Sequence, residues 1–523
     1  MFALSRTYVW LVAFAGVLFL PFALRGCLGG TEAQSGIARG ESTLTLRIIT
    51  PHNQDIRRAF EPAFSDWHRE HYGQPVAITY LSSGGTNDIV RYLDDLYGTY
   101  RDASGALLPE GLVNSGIELV WGGGDYTFER SFKPLLKPLN IPEELIAEAF
   151  PKRDLAGVPL LDPTAGPLGP RWVGIVLSSF GIIHAPEFYD VLKLPAPQTW
   201  TDLARPELRG LVALADPTRS GSAAMIYMMV LQRAMAAAEH SWLDENPESA
   251  RLTSDQLEQL ASYQQALGRG WKEGMRVLLL MAANARYFTD SGSRPCSDVG
   301  DAESAAGVAI DFYARVFQEQ IGARRITYHA PRGATAITPD PIGVLYGTLG
   351  EREVLANRFV TFLLTPEAQR LWNLDSGQSP YVPRSLRRMP VRRDVYADRH
   401  GWADDENPFE LAEGFNLRQR WMRQLGRLIP VWAAAWIDTK PGLDAAYRAV
   451  LEVPERERRE RLLFELSDLP IEFREVIEKR PAAAAGSAAT LDPRLSAARE
   501  RMALGERFRR HYSAILAQAR GAG

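Results

Sequence analysis

From Leu44 onward the apolar positions switch period again and again. Leu44, Leu46 and Ile48 alternate with Thr43, Thr45 and Arg47, the period-two pattern of a strand with one buried face. Ile56, Ala59, Phe60, Ala63, Phe64 and Trp67 then fall on one helical face. A strand over Val76 to Leu81, a helix over Asn87 to Tyr97 and a strand over Ile117 to Trp121 follow. Strands alternating with helices predict an α/β sheet, parallel or mixed, whose ligands sit beyond the carboxyl ends of the strands. Pro51-His52-Asn53, Ser82 to Thr86 and Gly122-Gly123-Gly124-Asp125 all follow predicted strands, so the three loops are expected to gather on one rim.

A second unit repeats the plan. The run Trp172 to Ile183 reads as one or two strands, and Leu211 to Ala215 as another. The helix after Ser222 is apolar nearly all round, which predicts a place at the centre of a lobe. A helix around Ser254 to Leu267 and a strand at Val308 to Ile310 complete the unit. A helix with Leu355, Phe359, Phe362 and Leu363 on one face, and another after Thr365-Pro366-Glu367, an N-cap with proline at the first helical position, close the α/β part. Beyond about Tyr381 the character changes. Glu452 to Lys479 alternates in charge, a linker is expected near Ala482 to Thr490, and Arg494 to Ala519 reads as a last charged helix.

Two stretches place Ser and Gly between a strand and a helix: Ser82-Ser83-Gly84-Gly85-Thr86, and Asp216-Pro217-Thr218-Arg219-Ser220-Gly221-Ser222. A helix start carries unpaired N–H groups and the positive end of the dipole, and glycine lets an anion approach the main chain closely. Two such starts facing each other would clamp an anion. The blander reading is ordinary helix capping.

Composition narrows the classes. The 523 residues are 46% apolar with a formal net charge of −4, which gives no nucleic-acid footprint. Two cysteines, Cys27 and Cys296, exclude a disulfide framework. Arg6, the apolar run from Tyr8 to Leu24 and Arg25-Gly26-Cys27 read as an export signal or a short membrane anchor. Leu24 and Gly26 resemble the lipobox of bacterial lipoproteins, with Cys27 as the lipidated residue, although Arg25 departs from that pattern. The body is therefore expected outside the cytoplasm, periplasmic or at the cell surface.

The order of motifs resembles the solute-binding proteins of bacterial ABC importers, in the two-lobed group that includes ferric-iron, phosphonate, thiamine and polyamine binders. The matching stretches are Leu46 to Asn53, Ser82 to Thr86, Pro206-Glu207-Leu208-Arg209-Gly210 to Ser222, Gly307 to Tyr313, and Phe359 to Leu371. The resemblance runs from Leu44 to Pro383 and leaves the last ~140 residues unmatched. It implies a type II periplasmic-binding-protein-like fold with a C-terminal helical extension. The expected division is a signal or anchor at 1–27, a tether at 28–43, lobe 1 at 44–172 and 323–385, lobe 2 at 173–322 and the extension at 386–523. It further implies a solute held by hinge closure, a membrane permease as partner, and neither cofactor nor catalytic residues.

The expected ligand-binding residues are Asn53, Ser82, Ser83, Gly84, Gly85, Thr86, Gly123, Asp125, Ser220, Gly221, Ser222, Ser291 and Asp311, with no metal ligands. Ferric binders of the group use paired tyrosines; here that place falls at Phe312-Tyr313, which leaves one, and a ferric ion wants several anionic oxygens. Asp311 beside the clamp suggests a zwitterionic or anionic solute, phosphonate-like, instead. Three alternatives stand beside this reading: a ferric-iron binder, an exported hydrolase and a sensor signalling through the C-terminal helices. A pure binder cut after about Val382 is expected to keep its solute affinity, whereas a sensor so cut would lose its partner.

Overall fold

A computed structural model of the chain describes residues 43–81, 84–478 and 493–521. The expected anchor, Cys27, most of the tether, Ser82, Ser83 and the 482–490 linker lie outside the described residues. Among the described residues no helix is long and apolar enough to cross a membrane.

The alternating segment at the start forms β1 (Leu44–Ile49), which pairs in parallel with β2 (Val76–Leu81) and β3 (Leu119–Trp121). Between them run α1 (Gln54–Tyr72) and α2 (Thr86–Gly98). The apolar face of α1 buries Ile56, Phe60 and Phe64 with Leu46 and Ile48 in one core. A two-stranded hairpin, β4 (Asp154–Leu155) and β5 (Val158–Pro159), leads to β6 (Val173–Ser178) and β7 (Phe180–His184). These two strands are buried throughout, so they carry no period-two pattern.

The remaining strands are β8 (Val212–Ala215), β9 (Ala285–Thr289), β10 (Ala306–Ile310), β11 (Thr327–His329), β12 (Thr338–Val344) and β13 (Met389–Pro390). They assemble two sheets. The first has the order β13-β6-β12-β3-β1-β2 and the second β11-β7-β10-β8-β9. The molecule is thus a two-lobed α/β fold with C-terminal helices, as the motif order implies.

Two crossings join the sheets within this part of the chain. Ser179 alone separates β6 from β7, and 330–337 separate β11 from β12. The first crossing is pinned from the second lobe: Asp311 Oδ2 accepts from Ser179 N (2.7 Å) and Ser179 Oγ (3.1 Å), and Ser179 Oγ lies 2.8 Å from the Tyr328 hydroxyl. Thr335 ties the crossings together, accepting from Phe180 N at 3.2 Å and donating to Phe180 O at 2.7 Å.

The segment after 385 does not stand apart. Met389 and Pro390 add to the first sheet beside β6, and Val395, Tyr396, Phe409 and Ala412 join its core. The chain then crosses a third time. Phe415, Leu417, Trp421, Trp432 and Trp436 enter the core of the second sheet, together with α3 (Gly221–Glu245) and α4 (Ala261–Asn284). Helices α5 (Lys440–Leu451) and α6 (Pro493–Ala519) complete this layer, burying Tyr447, Phe508 and Tyr512. The Tyr447 hydroxyl donates to Asn284 Oδ1 at 3.0 Å, and Arg418 pairs with the buried Glu239 of α3. The nearly all-apolar surface of α3 follows from this packing, because the sheet covers one side and the C-terminal helices another. A cut after Val382 would therefore strip the second lobe's core, and cannot serve as a neutral test of binding.

Candidate functional site

Between the two sheets lies a cavity of about 1030 Å³. Of the residues singled out from sequence, Asn53, Gly85, Thr86, Gly123, Asp125, Ser220, Gly221, Ser222 and Ser291 line it. Asn53 caps α1, its Oδ1 accepting from Ile56 N at 3.1 Å. Gly85 caps α2, and Asp88 Oδ2 accepts from Gly85 N at 3.0 Å. Gly84 stays off the wall, and a Cβ there would lie 2.5 Å from Asp88 Oδ2.

On the opposite lobe Ser220 caps α3, a 25-residue helix, its Oγ accepting from Ala223 N at 3.2 Å. The N–H groups of Gly221 and Ser222 in the first turn have no partner within the helix and belong to the cavity wall. Gly292 lets the 290–293 loop close on this start, since a Cβ there would lie 2.6 Å from Ser222 Oγ and 2.8 Å from Ser220 Oγ. The two helix starts meet across the cleft: Asn87 Nδ2 donates to Thr218 O at 2.9 Å. Arg219 beside them has a side chain 63% exposed and stands 3.9 Å from Asp290.

Asp311 is the exception. It is 1% exposed, does not line the cavity, and spends its carboxylate on Ser179 and on Phe312 N. Burial pushes its carboxyl up to about 6, against the pull of Arg315. Of the two acids singled out from sequence, the one that faces the cleft is Asp125. Three successive glycines with positive φ, Gly122 (93°), Gly123 (120°) and Gly124 (79°), swing the chain from β3 into a short helix and bring Asp125 to the wall. Asp125 is 3% exposed and its Oδ1 has no hydrogen-bond partner among the described residues. Burial pushes its carboxyl up to about 7.

That shift sets a pH dependence. A carboxyl whose folded pKa lies above its unfolded value binds more protons in the native state, so stability falls as pH rises from about 4 to about 7. The charged form at pH 8 costs up to about 4 kcal/mol, the free energy of holding the carboxyl near 7 instead of near 4. Asp125→Asn is expected to raise the melting temperature of solute-free protein at pH 8 by several degrees, with a smaller gain at pH 5. Equal gains at both pH values in thermal unfolding would refute this assignment.

Sequence reasoning missed the floor of the cleft. Asp340 of β12 accepts from His52 Nε2 (2.9 Å), Arg388 Nη1 (2.9 Å) and Gly123 N (2.8 Å). Arg388, 1% exposed, also donates to Ser178 Oγ at 2.8 Å and stacks 4.4 Å above the Phe312 ring of the other lobe. Burial works to raise the Asp340 carboxyl, yet Arg388 and His52 overcome it and hold the group well below the usual carboxylate range. His52 is itself shifted down, mainly by burial, so the neutral ring donates Nε2–H and Arg388 supplies the charge. Nothing in the arginine-rich run 384–393 marks Arg388 as the one beneath the cleft, because all five arginines there look alike until the chain is folded. Tyr126, Arg130, Ile429 and Pro430 are among the further unforeseen lining residues.

Residues 188–396 match the family model described as bacterial extracellular solute-binding protein. The match spans about two fifths of the chain. A curated relative, the phosphoglycerate transport regulatory protein PgtC of Salmonella typhimurium, is 22% identical over 214 residues, 41% of this chain and 44% of that protein. The chain thus matches less than half the length of this relative. Among solved structures, the periplasmic binding protein AfuA from Actinobacillus pleuropneumoniae has a TM-score of 0.46 at 15% identity, over 74% of this chain and 98% of that one. Iron-bound HitA from Pseudomonas aeruginosa has a TM-score of 0.45 at 16% identity, over 74% and 99%.

Proposed function

We propose that the protein captures a small anionic solute, phosphorylated or phosphonate-like, in the interlobe cleft and delivers it to an ABC permease. The observation that carries this reading is the pair of helix starts, at Thr86 and Gly221, that belong to opposite lobes and line one cavity. Their free N–H groups, the Ser220 and Ser222 hydroxyls and Arg219 suit the oxygens of a phosphoryl group. The name of the curated relative, with phosphoglycerate in it, agrees with such a solute. Asp125 replaces Asp311 as the acid beside the clamp, and its unpartnered oxygen suits a hydroxyl or amine on the same solute.

In this reading the ligand-contacting set is Asn53, Gly85, Thr86, Gly123, Asp125, Arg219, Ser220, Gly221, Ser222 and Ser291. Ser82 and Ser83, also expected from the sequence, lie outside the described residues. Closure bends the chain at its three crossings, Ser179, 330–337 and the step from Ala412 to Phe415, and the closed state gains population because only it lets both lobes touch the solute. Lobe 1 extends to about residue 412, and the helices beyond it belong to lobe 2. Export, with Cys27 lipidated or the N-terminus kept as an anchor, places the cleft on the outer side of the membrane. No cofactor or catalytic step is assigned.

The test is calorimetric titration of protein refolded to strip bound solute, using phosphate, 3-phosphoglycerate, 2-aminoethylphosphonate and ferric iron. Arg219→Ala and Ser222→Ala are each expected to weaken the bound anion about 10- to 100-fold, the value of a charge-assisted hydrogen bond. Binding unaffected by both substitutions, or binding of ferric iron alone, would reject the clamp. A sensor is the second reading, favoured by the helical layer that packs against α3, whose first turn lines the cleft.

A further inference from the structure

The cleft has a wall that the matched family segment does not contain. The match ends at residue 396, yet Ile429 and Pro430 line the cavity. Facing them from the first lobe is Tyr126, next in sequence to Asp125. Tyr126 packs against the hydrophobic cluster of the second lobe and its C-terminal helices, not against the core of its own lobe.

The contact is close. A Cβ on Gly426 would overlap the Tyr126 hydroxyl, and Gly426 is buried. Its φ of −57° is one that any residue adopts, so the backbone makes no demand for glycine there. What excludes a side chain is the approach of Tyr126. Arg130 reinforces the seat from the same lobe, its Nη1 donating to the Tyr126 hydroxyl at 3.1 Å.

We infer that the C-terminal layer is a third wall of the solute cleft: Gly426 seats Tyr126 when the lobes close, and Ile429 with Pro430 limits the length of solute that fits. This rests on the cleft being the solute site. A wall rooted in the second lobe closes against the first only when the lobes approach, so it adds to closure as well as to selectivity. A solute that reaches Asp125 brings the neighbouring Tyr126 to the seat in the same movement.

Two substitutions test it. Ile429→Trp, at a half-buried position, fills the cleft from the wall. It is expected to leave inorganic phosphate binding within about threefold and to weaken 3-phosphoglycerate by about tenfold or more, as steric exclusion from a lined pocket requires. Gly426→Leu is expected to hold the lobes apart, weakening both anions and enlarging the radius of gyration of the solute-free protein in small-angle scattering. Circular dichroism and thermal unfolding check that each variant folds; if Gly426→Leu does not, Ile429→Trp decides. Wild-type binding ratios in Ile429→Trp together with a wild-type radius in Gly426→Leu would overturn the third wall. Should the wild type bind none of the anions, the proposed solute class fails, and the scattering of Gly426→Leu still decides the wall: an unchanged radius rejects it and an enlarged one upholds it.

Discussion

A chain ending at Ala412 is expected to retain the first sheet and lose the second as a cooperatively folded unit. The cut removes Trp421, Trp432 and Trp436, each almost wholly buried, with Leu443, Tyr447, Phe508 and Tyr512 beside them. Each large aromatic taken from a core costs about 3–5 kcal/mol, so the sum exceeds the ~5–15 kcal/mol that stabilises a typical domain. The exposed faces of α3 and α4 would also form an apolar patch that favours aggregation. Limited proteolysis should cleave the truncated chain within 180–329 while sparing the first sheet. A single cooperative melt at the temperature of the full chain would show the helices to be an appendage after all. The experiment also decides how solute affinity can be read, because a lost lobe and a lost ligand contact would look alike in a binding curve.

The second large effect concerns the floor of the cleft. Arg388→Met is expected to destabilise the protein by about 3–5 kcal/mol, since it leaves Asp340 charged, largely buried and short of its main cationic partner. Asp340→Leu on top of it should recover much of that loss, because the pair is removed together and no lone charge remains. The sign with pH is fixed by Asp340. Its folded pKa lies below the unfolded value, so its contribution is present above about pH 4 and is lost as pH falls further. Denaturant unfolding of the two variants at pH 7 measures both numbers. A single variant as stable as the wild type would mean that His52 and the Gly123 amide suffice to hold the carboxylate. Since Arg388 also stacks on Phe312 of the other lobe, the single variant should change the solute-free equilibrium between open and closed forms as well.

Much of the first sheet was legible because its strands and helices carry their periods openly. β1 and α1 each bury one face, and a half-buried element writes that fact into every second, third or fourth residue. The rim loops were legible for a related reason. Ser, Gly, Asn and Asp mark helix starts through local chemistry, so Asn53, Gly85 and Ser220 could be placed as caps without any tertiary information. That these starts share one cavity agrees with the rule that ligands sit beyond the carboxyl ends of the strands, and the structure brings them together.

The crossing strands were harder. β6 and β7 are buried on both faces, so the single run Trp172 to Ile183 hides a change of sheet at Ser179. Asp311 shows the same limit on the side of chemistry. A carboxylate after a strand has the same letter whether it serves a ligand or a hinge, and only the position of Ser179 decided for the hinge.

The sequence by itself determined the alternating α/β plan, the helix caps and the polar, glycine-bearing loops, because each depends on neighbours within a few residues along the chain. The tertiary structure alone decided which acid faces the cleft, which arginine lies beneath it and where the C-terminal helices go. Arg388 and Trp432 acquire their roles from partners more than a hundred residues away, Asp125 takes its charge state from burial, and burial is a property of the assembled neighbourhood.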